Sequence, residues 1–256
     1  MTLLEVNGAR LWVEEEGRGP AVLFVHGGLG DSRLWQPQAR ALASRFRTIR
    51  YDLRFWGRSE STGVEYSPVD DLIGVLDALD VERAALVGLS MGGGLALDAA
   101  LLHPRRVWAL AHVAAGVTGM PVNAYSTQQD AAYEAAEKEH DLDAMMGIDF
   151  AVWAPLGAGE EYRELWRATP DARGMPDGGR SRPREPAVLG AVGVPTLVIV
   201  PSHDPPAQRE VGRTVAREIP GARLVEIDSD HYLTLREADR VTALLEDFLV
   251  GAAPQG

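Results

Sequence analysis

The sequence predicts a doubly wound α/β fold, a mostly parallel sheet with helices on both faces. Three observations carry that expectation over its 256 residues. Short apolar runs of strand length alternate with segments of helical period, the rhythm of strand–helix–strand units. Several of the runs, such as Ala21–Val25, are apolar at every position, as strands buried on both faces are. The connections between them are short, so successive strands are expected to lie side by side with right-handed crossovers.

In chain order, Leu3–Val6 and Arg10–Glu15 flank Asn7-Gly8, a two-residue hairpin signal. Ala21–Val25 is the first buried strand; a helical stretch around Leu34–Ser44 and the strand Thr48–Tyr51 follow. Ser67-Pro68-Val69-Asp70 reads as a helix start, with Ser67 as N-cap, Pro68 in the first turn and an acid beside it. That helix is expected to reach Leu79. Ala84–Val87 is the next strand, Met91–Leu102 the next helix and Val107–Val113 another strand. The tail repeats the pattern: strand Thr196–Val200, helix Glu210–Ile219, strand Arg223–Ile227, helix Glu237–Val250. Between roughly Thr118 and Pro186 the rhythm stops. Helix-period segments (Ala131–Glu139, Leu142–Phe150, Glu160–Ala168) and a Gly-, Pro- and Arg-rich loop occupy that stretch. The expected organisation is therefore a core domain of residues 1–117 and 187–256, with residues 118–186 inserted as a helical cap.

Composition excludes several function classes. A net charge of −12 argues against a nucleic-acid partner, which wants clustered Lys and Arg, and favours solubility. With no cysteine there is no disulfide, no thiolate metal site and no cysteine nucleophile; no metal site is expected. Lys138 is the single lysine, which leaves little room for Schiff-base chemistry. The first residues, Met1 to Val6, lack a basic stretch followed by an apolar one, so no secretory leader is expected, and no run approaches the ~18 apolar residues of a membrane span. The expectation is a cytoplasmic protein with a small-molecule substrate and no nucleic-acid or membrane partner. Nothing in the sequence sets the oligomeric state.

The sharpest chemical signal is Gly88-Leu89-Ser90-Met91-Gly92, a G-x-S-x-G turn between the apolar run Ala84–Val87 and a helix. A serine on so tight a turn sits in a strained backbone conformation, and side chains at the flanking positions would clash. The helix that opens at Met91 aims free N–H groups at the place where an oxyanion would develop. His26-Gly27-Gly28-Leu29-Gly30 directly follows Ala21–Val25, so Gly28 or Leu29 is the expected second donor. A phosphate loop is excluded there because the lysine of that motif is absent. His26 itself reads as a hydrogen-bonded structural histidine.

A serine hydroxyl needs a general base oriented by a carboxylate. Among six histidines, His231 lies just past the last strand, at the carboxyl edge where such sheets keep their sites. Asp204 follows Thr196–Val200 at the same edge. His203 competes by position but adjoins Asp204, while Asp228 and Asp230 sit too close in the chain to His231 to orient its ring easily. The order Ser90, Asp204, His231 is that of a strand–turn–helix serine hydrolase.

Taken together, His26-Gly27-Gly28, Tyr51-Asp52-Leu53-Arg54, Gly57-Arg58-Ser59, Gly88 to Gly93 and the Asp204 and His231 segments resemble the α/β-hydrolase superfamily. Within it they look like the cluster of enol-lactonases, carboxylesterases and cofactor-free perhydrolases. The resemblance covers almost the whole chain and implies an eight-stranded sheet, a cap between strands six and seven, and no cofactor. Two departures stand out. The family loop Asp-x-Arg-Gly-x-Gly-x-Ser here carries Phe55 in place of its first glycine, followed by Trp56. These two aromatics either shape the pocket for a flat apolar ligand or pack beneath the cap. Asp230 precedes His231, and Pro201 precedes the acid segment, where glycine is common.

The cap adds Tyr125, Tyr133, Met145, Met146, Trp153, Tyr162 and Trp166. Aromatics and Met at helical spacing are usually core, yet Tyr125, Met145 and Trp153 join Phe55 and Trp56 as expected substrate contacts. Arg180, Arg182 and Arg184 in the cap loop offer either a solvated surface or carboxylate recognition. The expected function is hydrolysis of a small ester, lactone or thioester through an acyl-enzyme. The alternatives are a non-hydrolytic reaction of the same triad, of perhydrolase or lyase type, and a non-catalytic ligand-binding member of the fold. Dehalogenase and soluble epoxide-hydrolase chemistry need a carboxylate nucleophile in this family, where Ser90 stands.

Overall fold

A computed structural model describes residues 1–60, 65–120, 122–170 and 188–254. Eight strands form one sheet: β1 (Thr2–Val6), β2 (Ala9–Glu16), β3 (Ala21–Val25), β4 (Arg47–Tyr51), β5 (Ala84–Leu89), β6 (Val107–Val113), β7 (Thr196–Pro201) and β8 (Arg223–Ile227). Their order is β1-β2-β4-β3-β5-β6-β7-β8. Only the β1–β2 and β2–β4 pairings are antiparallel. The hairpin forms at Asn7-Gly8, whose φ angles of 47° and 76° are the paired positive values that match the twist of the flanking strands.

The fully apolar strands are buried on both faces, and alternate residues divide between two clusters. Ala21, Leu23 and Val25 pack with Leu72 of α2 (Pro68–Ala78), Leu95 of α3 (Met91–Leu102) and Val211 of the helix that follows β7. Val22 and Phe24 point the other way, toward Leu42 of α1 (Gln36–Leu42) and Leu245 of the last helix. Among the described residues, three α-helices lie between β6 and β7: α4 (Thr127–Glu139), α5 (Leu142–Trp153) and α6 (Glu160–Trp166). Met145, Met146, Phe150, Tyr162, Leu165 and Trp166 from α5 and α6 belong to the second cluster.

Helix ends depart from the expected bounds for identifiable reasons. The stretch at Leu34–Ser44 divides into a short 3-10 turn, Ser32–Trp35, started by the Asp31 side chain accepting from Arg33 N–H, and then α1. Helix α4 begins four residues earlier than expected, because Ser126 and Gln129 form a reciprocal capping box. Helix α7 (Pro206–Glu218) likewise starts early, with proline in its first turn where a missing N–H is harmless. A further short helix, α8 (Leu233–Arg236), precedes the last helix, α9 (Ala238–Ala252), which begins within one residue of its expected start at Glu237.

The loop after β4 is held by charge. Buried Arg54 makes two hydrogen bonds of 2.8 Å to Asp71 of α2, while Arg58 binds Asp52 and lies 3.3 Å from the centre of the Trp12 ring. Bidentate pairs of this kind fix orientation as well as charge. Within that loop Trp56 N–H donates to Leu53 C=O at 2.9 Å, and Phe55 has φ 77°. That is the third position of a type II turn, where φ near +80° favours glycine. The family glycine replaced by Phe55 thus occupied a position that an L side chain strains.

Candidate active site

Ser90 stands between β5 and α3 at φ 53° and ψ −122°, outside the ordinary regions for a residue with a Cβ. Its N–H donates to Val113 C=O at 2.9 Å, and its C=O accepts from Gly93 and Gly94. The turn closes only because its flanks are bare. A Cβ on Gly88 would lie 2.3 Å from Gly92 O, and one on Gly92 would lie 2.4 Å from both Val25 O and His26 O. The strain at Ser90 is therefore over-determined by β3, β5 and α3 together.

Asp204 follows β7 and His231 follows β8, and the two meet at the carboxyl edge of the sheet. His231 Nδ1 is 2.8 Å from Asp204 Oδ2, with the residues 5% and 3% exposed. This bond assigns the ring hydrogen to Nδ1, which leaves Nε2 as a lone-pair nitrogen with no partner among the described residues. Asp204 Oδ1 is also buried without a hydrogen-bond partner among them. The competing groups are engaged elsewhere. His203 pairs with Asp228 on the exposed surface at 2.9 Å, which holds the Asp228 carboxyl below its usual range. Asp230 binds Arg236 and accepts from the Leu156 and Tyr232 N–H groups.

Ser90, His231, Gly27, Gly28, Leu29 and Tyr232 line one small cavity. The N–H groups of Gly28, Leu29 and Met91 have no acceptor among the described residues. Their neighbours are fixed: Gly28 C=O accepts from Trp56 Nε1 at 2.8 Å, and Leu29 C=O accepts from the Tyr232 hydroxyl at 3.1 Å. Burial pushes the Tyr232 hydroxyl well above its ordinary pKa, so it remains a donor. His26 is fully buried, donates from Nδ1 to Gly27 C=O and accepts Leu53 N–H at Nε2. Desolvation lowers its pKa, and both ring nitrogens are committed to holding the Gly27–Gly30 loop and the Asp52–Ser59 loop together.

Two larger cavities of about 250 Å³ adjoin this centre. One borders Ser90 and is lined by Met91, Gly94, Gly116, Val117, Thr118, Met120, Val122 and Gln208. The other, mostly apolar, lies among Leu53, Trp56, Tyr66, Pro68, Met91 and Leu95, beside the Arg54–Asp71 pair. Met91 is on the wall of both.

The five expected substrate contacts separate. Trp56 lines the apolar cavity. Trp153 packs on His231, ring centres 4.5 Å apart and planes tilted by 49°. Tyr125 lies behind Trp153 and takes its indole hydrogen bond. Among the described residues, Phe55, 7% exposed, packs against Tyr66, and Met145, 2% exposed, is buried in the second apolar cluster; neither borders the cavities at Ser90. Tyr232, Thr118 and Gln208, absent from the sequence reading, do border Ser90's cavities. The one signal for Tyr232 was its adjacency to His231. Arg180, Arg182 and Arg184 lie outside the described residues. Among the described residues no group of three or more His, Asp or Glu could hold a metal ion, and no helix is long and apolar enough to cross a membrane.

Residues 20–238 match the α/β hydrolase fold family, and the chain belongs to it. It is similar over nearly its whole length to 3-oxoadipate enol-lactonase 1 of Acinetobacter baylyi, at 25% identity, covering 95% of this chain and 94% of that one. The crystal structure of the enol-lactonase from Burkholderia xenovorans superposes with a TM-score of 0.80 and 26% identity, covering 97% of this chain and 99% of that one. An epoxide hydrolase of Caballeronia sordidicola is 44% identical over 109 residues, 40% of this chain. That match spans only 33% of the epoxide hydrolase, and matches to other curated relatives of higher identity span about a third of their length.

Proposed function

We propose that the protein is a serine hydrolase that cleaves a small-molecule ester, lactone or thioester through an acyl-enzyme on Ser90. The observation that carries this reading is the buried 2.8 Å Asp204–His231 bond, which leaves Nε2 of His231 free to accept a proton beside the cavity that His231 and Ser90 both line. In the proposed reaction Ser90 Oγ attacks the carbonyl carbon as its proton passes to His231 Nε2. The N–H groups of Met91 and of Leu29 or Gly28 receive the developing oxyanion. The proton then goes to the leaving oxygen or sulfur. Water repeats the sequence to release the acid. Asp204 holds the imidazole in the tautomer that can accept. Each role is filled by a side chain or backbone group of the chain, so the reaction needs no cofactor.

The enol-lactonase relatives support the lactone or ester class. The epoxide hydrolase similarity lends less, because that reaction calls on a carboxylate where Ser90 stands. We read residues 118–186 as a cap and the core as 1–117 with 187–256, since the three helices between β6 and β7 bring Trp153 against His231.

A fluorophosphonate probe is expected to add once, at Ser90, and Ser90→Ala to abolish labelling with the fold intact. A panel of chromogenic acyl esters and lactones should then turn over in the wild type and drop by ~10³-fold or more in Ser90→Ala. Labelling elsewhere, or unchanged turnover in Ser90→Ala, would overturn the proposal; labelling at Ser90 without hydrolysis would favour a non-hydrolytic triad reaction.

A further inference from the structure

The imidazole of His231 is tied at one edge only. Its bond to Asp204 fixes Nδ1, but a ring held at one nitrogen can still swing and tilt about that contact. The geometry points to a second restraint supplied by the cap: we propose that Trp153, anchored through Tyr125 to Asp149, is a positioning residue that fixes the plane of His231. The proposal rests on His231 being the general base.

Trp153 holds His231 twice. Its backbone C=O accepts the His231 N–H at 3.1 Å, and its indole covers the imidazole with ring centres 4.5 Å apart and planes tilted by 49°. The indole is itself tethered. Trp153 Nε1 donates to the Tyr125 hydroxyl at 2.8 Å, and that hydroxyl donates to Asp149 Oδ1 at 2.5 Å. Trp166 Nε1 donates to the other carboxylate oxygen of Asp149 at 2.6 Å. The direction of this chain is fixed by chemistry. An indole N–H can only donate, so the Tyr125 oxygen must accept, and its single hydrogen must go to the carboxylate. Burial and the nearby Asp149 charge push the Tyr125 hydroxyl far above its ordinary range, which keeps that hydrogen in place.

The arrangement also speaks against Tyr125 as a substrate contact. Its one hydrogen is committed to Asp149, so it has none to donate to a bound carbonyl. It acts instead at a distance from the reacting atoms, through Trp153. Helix α5 carries both Asp149 and Trp153 one turn apart, while Tyr125 comes from the segment before α4. Trp153 thereby reaches the base with its indole held by a second segment, the one that carries Tyr125.

The test uses the full chain and reads the rate of fluorophosphonate labelling of Ser90, which requires the base but no natural substrate. Tyr125→Phe removes the hydroxyl link and Trp153→Phe the indole donor, and each is made in the wild-type and His231→Ala backgrounds. Circular dichroism and melting temperature establish that every variant is folded at the assay temperature. Each single substitution should slow labelling roughly 10-fold, with ~100-fold as the ceiling for a displaced catalytic group. In the His231→Ala background neither should slow it further, because the base through which they act is gone. The double variant should be no slower than the slower single. Labelling at the wild-type rate in both variants overturns the proposal. So does an equal slowing in the His231→Ala background, which marks a scaffold effect, and so does a raised KM for chromogenic esters with unchanged labelling, which marks a substrate contact. Failure of the underlying reading looks different: the wild type would not label at Ser90, or His231→Ala would label as fast as the wild type.

Discussion

Phe55 offers a case in which backbone and side chain pull in opposite directions. Its φ of 77° is the third position of a turn closed by the Trp56 N–H, so the side chain is carried at a conformational cost of roughly 1–2 kcal/mol. Its ring is 7% exposed and packs edge-on to Tyr66, ring centres 5.7 Å apart, so deleting it should cost roughly 3–5 kcal/mol. Phe55→Ala loses the ring and keeps the strain. Phe55→Gly loses the ring and relieves the strain. The glycine variant should therefore be the more stable of the two by about 1 kcal/mol, reversing the usual order, in which glycine is the worse by roughly 0.5–1 kcal/mol. Both should be less stable than the wild type by a few kcal/mol. Urea unfolding of the three proteins reads the order directly, and kcat/KM for an acetyl and an octanoyl ester reads selectivity on the same samples. An alanine variant at least as stable as the glycine variant would refute the turn reasoning. A change in the ester ratio of ~10-fold or more with little loss of stability would refute the packing role and make Phe55 a pocket wall.

Met91 is the shared wall of the two cavities of about 250 Å³. Met91→Ala should join them and raise the octanoyl-to-acetyl ratio of kcat/KM by roughly 10-fold or more, and an unchanged ratio would mean that the apolar cavity is closed to substrate. His112 on β6 is fully buried, with Nε2 on Gly116 C=O and Nδ1 without a partner, and desolvation lowers its pKa to about 4. The folded state refuses a proton that the unfolded chain takes near pH 6.5, so this group's share of stability is intact above about pH 6.5 and is lost as pH falls toward 4, reaching about 3 kcal/mol. The loss of stability between pH 7 and 4.5 should be smaller in His112→Leu than in the wild type, and equal losses would contradict it. His203→Ala should retain esterase activity within a few-fold while His231→Ala loses roughly 10³-fold or more; the reverse pattern would move the base to His203.

The sheet was largely legible because its signal is local. Val22, Phe24 and their neighbours are apolar on both faces, and the strands Ala21–Val25, Val107–Val113 and Arg223–Ile227 fall where the apolar runs placed them. Helix starts were read less well where the cap is polar and inconspicuous. Ser126 and Gln129 have the spacing of a capping box, a signal present in the sequence, while the short α8 before Glu237 has no side-chain cap to announce it. At the site, the glycines around Ser90 announced their role because a Cβ on Gly88 or Gly92 would come within 2.4 Å of neighbouring backbone oxygens. The choice of His231 and Asp204 over His203 and Asp228 rested on their places at the carboxyl edge and on the adjacency of His203 to Asp204 and of Asp228 to His231; the structure brings the first pair together in the interior and the second on the surface.

The side chains around the base were a different problem. Trp153 and Tyr125 read as substrate contacts because aromatics in a cap over a polar centre suggest a binding wall. Their hydrogen bonds join positions 28 and 24 residues apart, and no periodicity encodes which indole meets which hydroxyl. What decides their role is valence. A phenol has one hydrogen, and once Asp149 takes it, Tyr125 has lost the means to donate to a ligand while gaining the means to hold Trp153. Phe55 follows the same reasoning through a torsion angle rather than a hydrogen: in its turn the ring packs against Tyr66. In both cases residue type suggested contact with a ligand, and local geometry had already committed the group elsewhere. Among the described residues, Met91, Gly94, Gly116 and Thr118 border the cavity beside Ser90, and Thr118 donates its hydroxyl hydrogen to Asp98 at 2.8 Å. Small and flexible walls of this kind discriminate by the size and shape of a ligand.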